Sequence, residues 1–210
     1  MSEEERKQLI KEHVMFDAIK DTNVFASGVA RDWPDARGVF YNEAKDFVVW
    51  ANVEDHAQVH SAQYGADMQA VFDKLCDGMG KFEAAVKKGG KEFMRNDHLG
   101  YIVTRPEKLG TALKAGVSLS IPKLAAHPKV KELMKAMKLE DTKSCEEGRL
   151  YVHNKETLGS SEASQVQCLV DGVQNLIKIE KALAAGKDAG SLISQAIFYL
   201  VEMLQKAVII

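Results

Sequence analysis

The stretch ARDWPDARGVF, residues Ala30–Phe40, decides how the fold is assigned. Pro34 and Gly38 favour irregular backbone up to residue 38, and Val39–Tyr41 then has the β-branched and aromatic side chains typical of a short strand. Two further blocks follow along the chain: VVWANVEDH at Val48–His56 and HLGYIVTRPEKLGTALKAGVSLSIP at His98–Pro122. Three such blocks in a fixed order predict a fold more strongly than any one of them alone.

The rest of the sequence alternates strand patterns with amphipathic helix patterns. Met68–Lys87 repeats apolar residues at helical spacing and stops before Gly89-Gly90, and Glu162–Ala185 shows a longer apolar face. The other predicted strands are Phe47–Asn52, Ala57–Ala62, Leu99–Thr104, Ala115–Ile121 and Arg149–His153; the other helices are Glu3–Lys11 and Lys131–Leu139, and Glu140–Gly148 is a predicted polar loop. Strands in a run with flanking helices predict an α+β fold on an antiparallel β-sheet. Cys76, on the helix Met68–Lys87, is expected to be buried.

Composition narrows the class of protein. The 210 residues carry a formal net charge of -2, which gives no general attraction to nucleic acid or to an anionic membrane. The three cysteines show no CxxC pair or zinc-like spacing, and the charged opening MSEEERKQLIKEH does not have the pattern of a secretory signal. The sequence therefore predicts a cytoplasmic protein with reduced cysteines and no bound metal.

The last twenty or so residues have a pattern of their own. Ser191–Ile210 has a wide apolar stripe at helical spacing, interrupted by Gln195, Glu202, Gln205 and Lys206. A bilayer-spanning helix needs about 20 mostly uncharged residues, so these polar side chains argue against membrane insertion. We predict a domain over residues 1–189 and an appended amphipathic helix over residues 190–210 that packs on its own chain or on a partner. A homo-oligomer is the expected partner arrangement.

The three blocks resemble the phosphagen (ATP:guanidino) kinases, which include creatine and arginine kinases, and the likeness covers most of Glu12–Gly186. The resemblance implies the guanidino kinase/glutamine synthetase-like catalytic fold, an antiparallel sheet surrounded by helices. It also implies that the chain begins inside the catalytic domain and has no counterpart of the family's small helical domain. Met1 followed by SEEERKQ favours a natural start, and a piece of a longer protein is the alternative.

The resemblance also assigns the catalytic carboxylates. Glu54 matches the glutamate that takes a proton from the guanidino substrate, and Asp55 follows it as in the family, while Val53 replaces a preceding acidic residue. Glu54 is therefore either a surviving base or an inherited carboxylate that pairs with Arg31 or Arg37.

The nucleotide side is altered at most of the matching positions. His13 matches a family histidine near the adenine. Gln58, Lys114 and Thr157 stand where the resemblance implies phosphate-binding arginines, and Ser118 replaces a histidine. Lys114 keeps a positive charge but loses the planar fork with which arginine binds phosphate oxygens in pairs. MgATP is expected as a cofactor only if activity is retained.

Three residues are candidates for an altered ligand pocket: Trp50, Arg105 and Lys108. Arg105 replaces the substrate-side cysteine, and a cation there repels a guanidinium substrate. Arg105, Lys108 and Lys114 either bind an anionic ligand or lie on a solvated loop. Trp50 either lines a changed cavity or is a packed aromatic residue. His56 and His60 are four residues apart at strand spacing and are expected to share a face, but the sequence supplies no third metal ligand.

These observations lead to one preferred hypothesis and two alternatives. The preferred hypothesis is a shortened, catalytically inactive phosphagen-kinase homologue that binds a partner or self-associates. The family resemblance places ARDWPDARG at the dimer contact of dimeric members, by analogy only. The first alternative is residual guanidino phosphotransfer with Glu54 as base and Lys114 on the phosphates. The second is a small-molecule carrier that uses the cleft near Trp50 and Arg105.

Overall fold

The computed structural model describes residues 2–19, 21–143, 148–186, 190–191 and 193–194. The chain divides into two units, one formed by Met1–Asn96 with Tyr101–Pro106 and the other by Asp97–Gly100 with Glu107–Ile210. We refer to them as the first unit and the second unit. Antiparallel sheets flanked by helices confirm the predicted α+β class.

The first unit is built on a three-stranded antiparallel sheet in the order β1-β2-β3. Its elements are α1 (Glu3–Lys11), α2 (Thr22–Ala26), β1 (Gly38–Tyr41), β2 (Phe47–Ala51), β3 (Ala57–Ser61) and α3 (Met68–Lys88). Ser2 starts α1 with a capping box, because its hydroxyl accepts from the Glu5 N–H while the Glu5 carboxylate accepts from the Ser2 N–H. The strands and helices predicted for residues 3–11, 39–62 and 68–87 are confirmed within a residue or two.

Helix α3 packs on the sheet through a glycine. A Cβ atom at Gly78 would overlap the ring of Phe47 on β2, whereas one at Gly80 would meet nothing within 4 Å. The expectation that Cys76 is buried is wrong: it is exposed, because it lies on the side of α3 that faces solvent.

The predicted strand Leu99–Thr104 is much shorter in the structure. Only the two residues Gly100–Tyr101 (β5) belong to a strand, paired with Arg95–Asn96 (β4), and a 3-10 turn follows at Pro106–Lys108. Gly100 has φ +69°, a left-handed conformation that interrupts a strand and that glycine adopts without strain.

The second unit contains another three-stranded antiparallel sheet, in the order β6-β8-β7. Its elements are β6 (Gly116–Ser120), α4 (Pro122–Ala125), α5 (Val130–Ala136), β7 (Leu139–Lys143), β8 (Arg149–Asn154) and α6 (Glu162–Ala184). Leu124, Leu133, Leu169 and Leu176 are fully buried and form the centre of its core.

Part of the predicted loop Glu140–Gly148 is a strand. Lys138 has φ +56°, which ends the preceding helix, and Leu139 then enters β7 with 1% of its surface exposed. Glu140–Lys143 pair with β8 through backbone hydrogen bonds although their side chains are polar, so hydrophobic alternation does not reveal this strand.

The predicted helix Ser191–Ile210 lies almost entirely outside the described residues, so the division at residues 189 and 190 stays a prediction. None of the helices among the described residues combines the length and the low polarity that a membrane-spanning segment needs.

Candidate functional site

Glu54 and Arg105 form a two-pronged ion pair in the first unit. The Arg105 Nε donates to Glu54 Oε2 at 2.9 Å, and its Nη2 donates to Glu54 Oε1 at 2.9 Å. The remaining nitrogen, Nη1, donates to Asp21 Oδ2 at 2.7 Å. Glu54 lies in the turn between β2 and β3, and Arg105 directly precedes the 3-10 turn at Pro106. One guanidinium group therefore joins two carboxylates from distant parts of the sequence.

The three side chains are partly withdrawn from solvent. Arg105 is 22% exposed, Glu54 20% and Asp21 33%. The hydrogen bonds that Arg105 donates to Glu54, and secondarily the one it donates to Asp21, raise the pKa of its guanidinium above the ordinary value against the opposing effect of burial. Arg105 is thus charged throughout the physiological pH range, and the Glu54 carboxylate has a permanent cationic neighbour.

The backbone around Glu54 is held by Thr104. The Thr104 hydroxyl donates to the Glu54 carbonyl oxygen at 2.7 Å, and the Thr104 N–H donates to Asp55 Oδ1 at 2.7 Å. Asp55 therefore links two loops. Because Thr104 precedes Arg105, these bonds also place the arginine beside Glu54.

The predicted partners of Glu54 were wrong. Arg31 pairs with its neighbour Asp32 at 2.9 Å on the surface, and Arg37 donates to the carbonyl oxygens of Asp32 and Asp35. The planar fork on Glu54 comes from Arg105 instead.

Trp50 is held in a packed aromatic group. Its indole N–H donates to the Val14 carbonyl oxygen at 2.7 Å, and its ring meets Phe16 edge-on with centroids 5.7 Å apart. The His60 ring lies 4.0 Å from the Trp50 ring. Of the two readings of Trp50, these contacts favour a packing residue over a cavity wall.

Gln58 lies on β3 directly opposite Trp50 on β2. Its Oε1 atom is buried and has no hydrogen-bond partner in the described part of the chain. A neutral amide in this place supplies neither the charge nor the fork of an arginine.

The two histidines do not share a strand face as predicted. Strand β3 begins at Ala57, so His56 lies in the preceding turn, with Nδ1 3.4 Å from Asn52 Oδ1, while the His60 ring packs on Trp50. Among the residues that the structure describes, no group of three His, Cys, Asp or Glu side chains is arranged to hold a metal ion.

Thr157 is a structural residue of the second unit. It is 8% exposed, and its hydroxyl lies 2.8 Å from the Leu109 carbonyl oxygen and 3.1 Å from that of Glu107. Its own carbonyl oxygen accepts from the Thr111 N–H at 2.9 Å. Thr157 therefore joins the loop on either side of Lys108.

The remaining predicted residues are at or near the surface. Lys114 and Ser118 are exposed, Lys108 is half-buried in the 3-10 turn, and Ser118 pairs with Tyr151 across β6 and β8. His13, in the first unit, is exposed and follows α1 with φ +58°. The structure therefore brings Glu54, Asp55 and Arg105 together and places Trp50 beside Gln58.

Two structural residues were not identified from the sequence. Asp21 contacts Arg105 across 84 positions, and no local pattern marks it. Asn154 is buried, accepts from the Ala115 N–H at 2.8 Å and donates to the Leu113 carbonyl oxygen at 3.1 Å, so it fixes the backbone on both sides of Lys114. The sequence signal that could have identified Asn154 is its position at the end of the strand β8, directly before a polar segment.

Comparisons with known proteins agree with this architecture. A family model described as ATP:guanido phosphotransferase, C-terminal catalytic domain, matches residues 1–183. Creatine kinase M-type of Canis lupus familiaris is 43% identical over 201 residues, which cover 92% of this chain and 52% of the relative. Flagellar creatine kinase of Strongylocentrotus purpuratus is 43% identical over 93% of this chain and 17% of its own length.

Solved structures show the same likeness. A lombricine kinase superposes with a TM-score of 0.84 at 38% identity, over 92% of this chain and 55% of that chain. The duplicated taurocyamine kinase from Schistosoma mansoni, with bound transition-state-analogue components, gives a TM-score of 0.77 at 36% identity, over 87% and 25%. The α+β fold with its antiparallel sheets and flanking helices is that of a guanidino kinase catalytic domain. The chain belongs to the ATP:guanido phosphotransferase family and spans about half the length of the M-type creatine kinase that it matches.

Proposed function

We propose that this chain is a catalytically inactive member of the family that acts as a binding or self-associating protein. The observation that carries the proposal is the ion pair in which both Glu54 oxygens accept from Arg105. A general base must reach the proton that it removes from the substrate. Here the oxygens in the position of the family's base are already bound to a guanidinium of the chain itself.

The phosphate side supports the same conclusion. At the four positions where the resemblance implies three arginines and a histidine, the chain has Gln58, Lys114, Thr157 and Ser118. Thr157 uses its hydroxyl to hold a loop, and Gln58 carries no charge. Loss of one transition-state donor typically costs about 2.7–4 kcal/mol, so loss of several reduces turnover to a negligible rate.

The test is a titration of the protein with ATP and magnesium, followed by a coupled assay of phosphotransfer. Creatine, lombricine and taurocyamine are the substrates to try, because the related kinases are named after them. We expect no phosphotransfer, with an M-type creatine kinase assayed alongside as the positive control. Micromolar ATP binding with turnover would show residual enzyme activity and overturn the proposal.

Self-association is proposed through Ser191–Ile210, whose apolar stripe suits packing against a second copy. Light scattering of the full chain and of a form ending at Ala189 tests this part. A full chain that is a dimer and a shortened form that is a monomer are expected. Two monomers, or two dimers, would contradict it.

A further inference from the structure

We propose that a cleft between α3 and the start of β2 is a binding site for an aromatic α-amino acid in its zwitterionic form. Two phenyl rings, those of Phe47 and Phe82, line the cleft together with the charged side chains of Asp77 and Lys81. Phe47 and Trp50 are three positions apart on β2, so their side chains lie on opposite faces of the sheet. The cleft is therefore separate from the candidate site at Trp50, and this inference goes beyond the proposed function and does not depend on it.

The cleft follows from the spacing of residues along α3. Five residues of the helix line it at positions i, i+3, i+4, i+7 and i+8, which share one side of a helix: Lys74, Asp77, Gly78, Lys81 and Phe82. Gly78 is in the middle of this stripe, and a Cβ atom there would overlap the Phe47 ring. The glycine therefore lets the Phe47 ring lie directly against the helix. With Asn42 the lining encloses a cleft of about 720 Å³, a size that suits a small organic molecule.

One polar end of the cleft is satisfied by the protein itself. The Lys74 ammonium group pairs with the Asp46 carboxylate, and the Asn42 amide nitrogen donates to Asp46 Oδ1 at 2.7 Å. The Asn42 Oδ1 accepts from the N–H groups of Asp46 at 3.1 Å and of Phe47 at 3.2 Å. These bonds fix the turn before β2 and the backbone of Phe47. Lys74 and Asn42 therefore form a wall of the cleft and already have partners.

The other two charges of the cleft are not paired with each other. Asp77 and Lys81 are four residues apart on α3, the spacing at which opposite charges usually meet, and Glu83 and Lys87 on the same helix do so at 2.8 Å. In the part of the chain that the structure describes, neither Asp77 nor Lys81 is in an ion pair. An α-amino acid carries a carboxylate and an ammonium group on one carbon. Its carboxylate suits Lys81 and its ammonium group suits Asp77.

The apolar part of the cleft favours an aromatic side chain on that amino acid. The rings of Phe47 and Phe82 are half-buried and offer aromatic surface, against which another ring packs edge-on or offset. The Phe82 ring is itself stacked on Phe93, with centroids 5.8 Å apart, so it is held in place. The charges of Asp77 and Lys81 cancel. The cleft therefore favours a ligand that has both charges and no net charge.

The experiment is an NMR titration of the full chain with three compounds, followed at the backbone amide signals of α3. L-phenylalanine is expected to bind with a Kd of about 0.1–1 mM. Hydrocinnamate lacks the amino group and phenethylamine lacks the carboxylate, and each should bind at least about fivefold more weakly. Lys81→Met should weaken L-phenylalanine about fivefold and leave phenethylamine unchanged. Asp77→Asn should weaken L-phenylalanine to a similar degree and leave hydrocinnamate unchanged.

Lys87→Met is the matched control, because it removes a lysine of the same helix that pairs with Glu83 and does not line the cleft. It should leave all three affinities unchanged. No shift of the α3 signals with about 10 mM L-phenylalanine would overturn the site, as would equal affinities for the three compounds or an equal loss in Lys87→Met. If Lys81→Met does not fold, Lys81→Gln is titrated in the same way and judged by the same outcomes.

Discussion

Arg105 contacts both carboxylate oxygens of Glu54 at 2.9 Å, across 51 positions of the sequence. The arginine was expected to repel a substrate guanidinium from its neighbourhood. The structure adds a more direct effect, because the Arg105 guanidinium itself is bound by the carboxylate in the base position. A single residue, Arg105, therefore satisfies both oxygens of the Glu54 carboxylate.

The ion pair should contribute measurably to stability. Arg105→Ala leaves Glu54 and Asp21 without this cation and is expected to lower the free energy of unfolding by about 2–3 kcal/mol, measured by urea denaturation. Arg31→Ala is the control, since the Arg31–Asp32 pair is largely exposed, and it should change little. Equal effects of the two substitutions would show that Arg105 has no special stabilising role.

Thr157 should be needed for stability and not replaceable by an apolar isostere. Thr157→Val removes the donor to the carbonyl oxygens of Glu107 and Leu109 in a buried place, so a loss of about 1–2 kcal/mol is expected. Thr157→Ser keeps the hydroxyl and should lose less. Chemical denaturation measures the free energy of unfolding of both variants. If Thr157→Val is as stable as Thr157→Ser, the hydroxyl of Thr157 does not stabilise the fold in this way.

Two glycines on α3 should respond in opposite directions to alanine. Gly80→Ala places a methyl group in open space and is expected to stabilise the protein by about 0.5–1 kcal/mol through helix propensity. Gly78→Ala gains the same propensity but displaces the Phe47 ring, and a net loss of about 1–2 kcal/mol is expected. Thermal unfolding of the two variants measures both effects. If both substitutions stabilise the protein, the Phe47 ring moves aside at little cost in free energy.

Cys76 and Cys168 should differ in reactivity. Cys76 is exposed on α3, whereas burial raises the pKa of the Cys168 thiol, whose Sγ also lies 3.4 Å from the Met137 carbonyl oxygen. Iodoacetamide at about pH 8 should therefore alkylate Cys76 before Cys168, as followed by mass spectrometry of the two cysteine-containing peptides. Cys76→Ser is expected to leave the slow labelling of Cys168 unchanged, and faster labelling of Cys168 than of Cys76 would contradict the assignment.

Acid should weaken the contact between the sheet and α3. The Lys74 ammonium group, and then the Asn42 amide, lower the pKa of Asp46 below its ordinary value of 3.8. A carboxyl group whose pKa is lower in the folded state contributes stability that is fully present above the unfolded value and is lost as the pH falls through the folded value. Asp46→Asn should therefore flatten the loss of stability below about pH 4.

Lys74→Met is the companion variant for the acid experiment, because it removes the cation and leaves the carboxyl group. Its stability should also fall less steeply in acid, as followed by unfolding at a series of pH values. A profile as steep as that of the unchanged protein in both variants would mean that the Asp46–Lys74 pair is not responsible.

Much of the fold could be predicted because its elements carry periodic signals. The apolar spacing of Met68–Lys87 and Glu162–Ala185 and the β-branched run at Phe47–Asn52 each matched an observed helix or strand. Strand β7 was missed because its residues are mostly polar, and its pairing with β8 comes from backbone hydrogen bonds that side chains do not announce.

The candidate site also has a part that the sequence predicts and a part that only the tertiary structure decides. Sequence alone predicts which residues stand at the family's functional positions, including Gln58, Arg105 and Thr157, because the motifs can be compared without structural knowledge. Only the tertiary structure decided what they do. Glu54, Asp21 and Arg105 are far apart in the sequence and meet through loop conformations, and the direction of a guanidinium fork depends on contacts that no local pattern records.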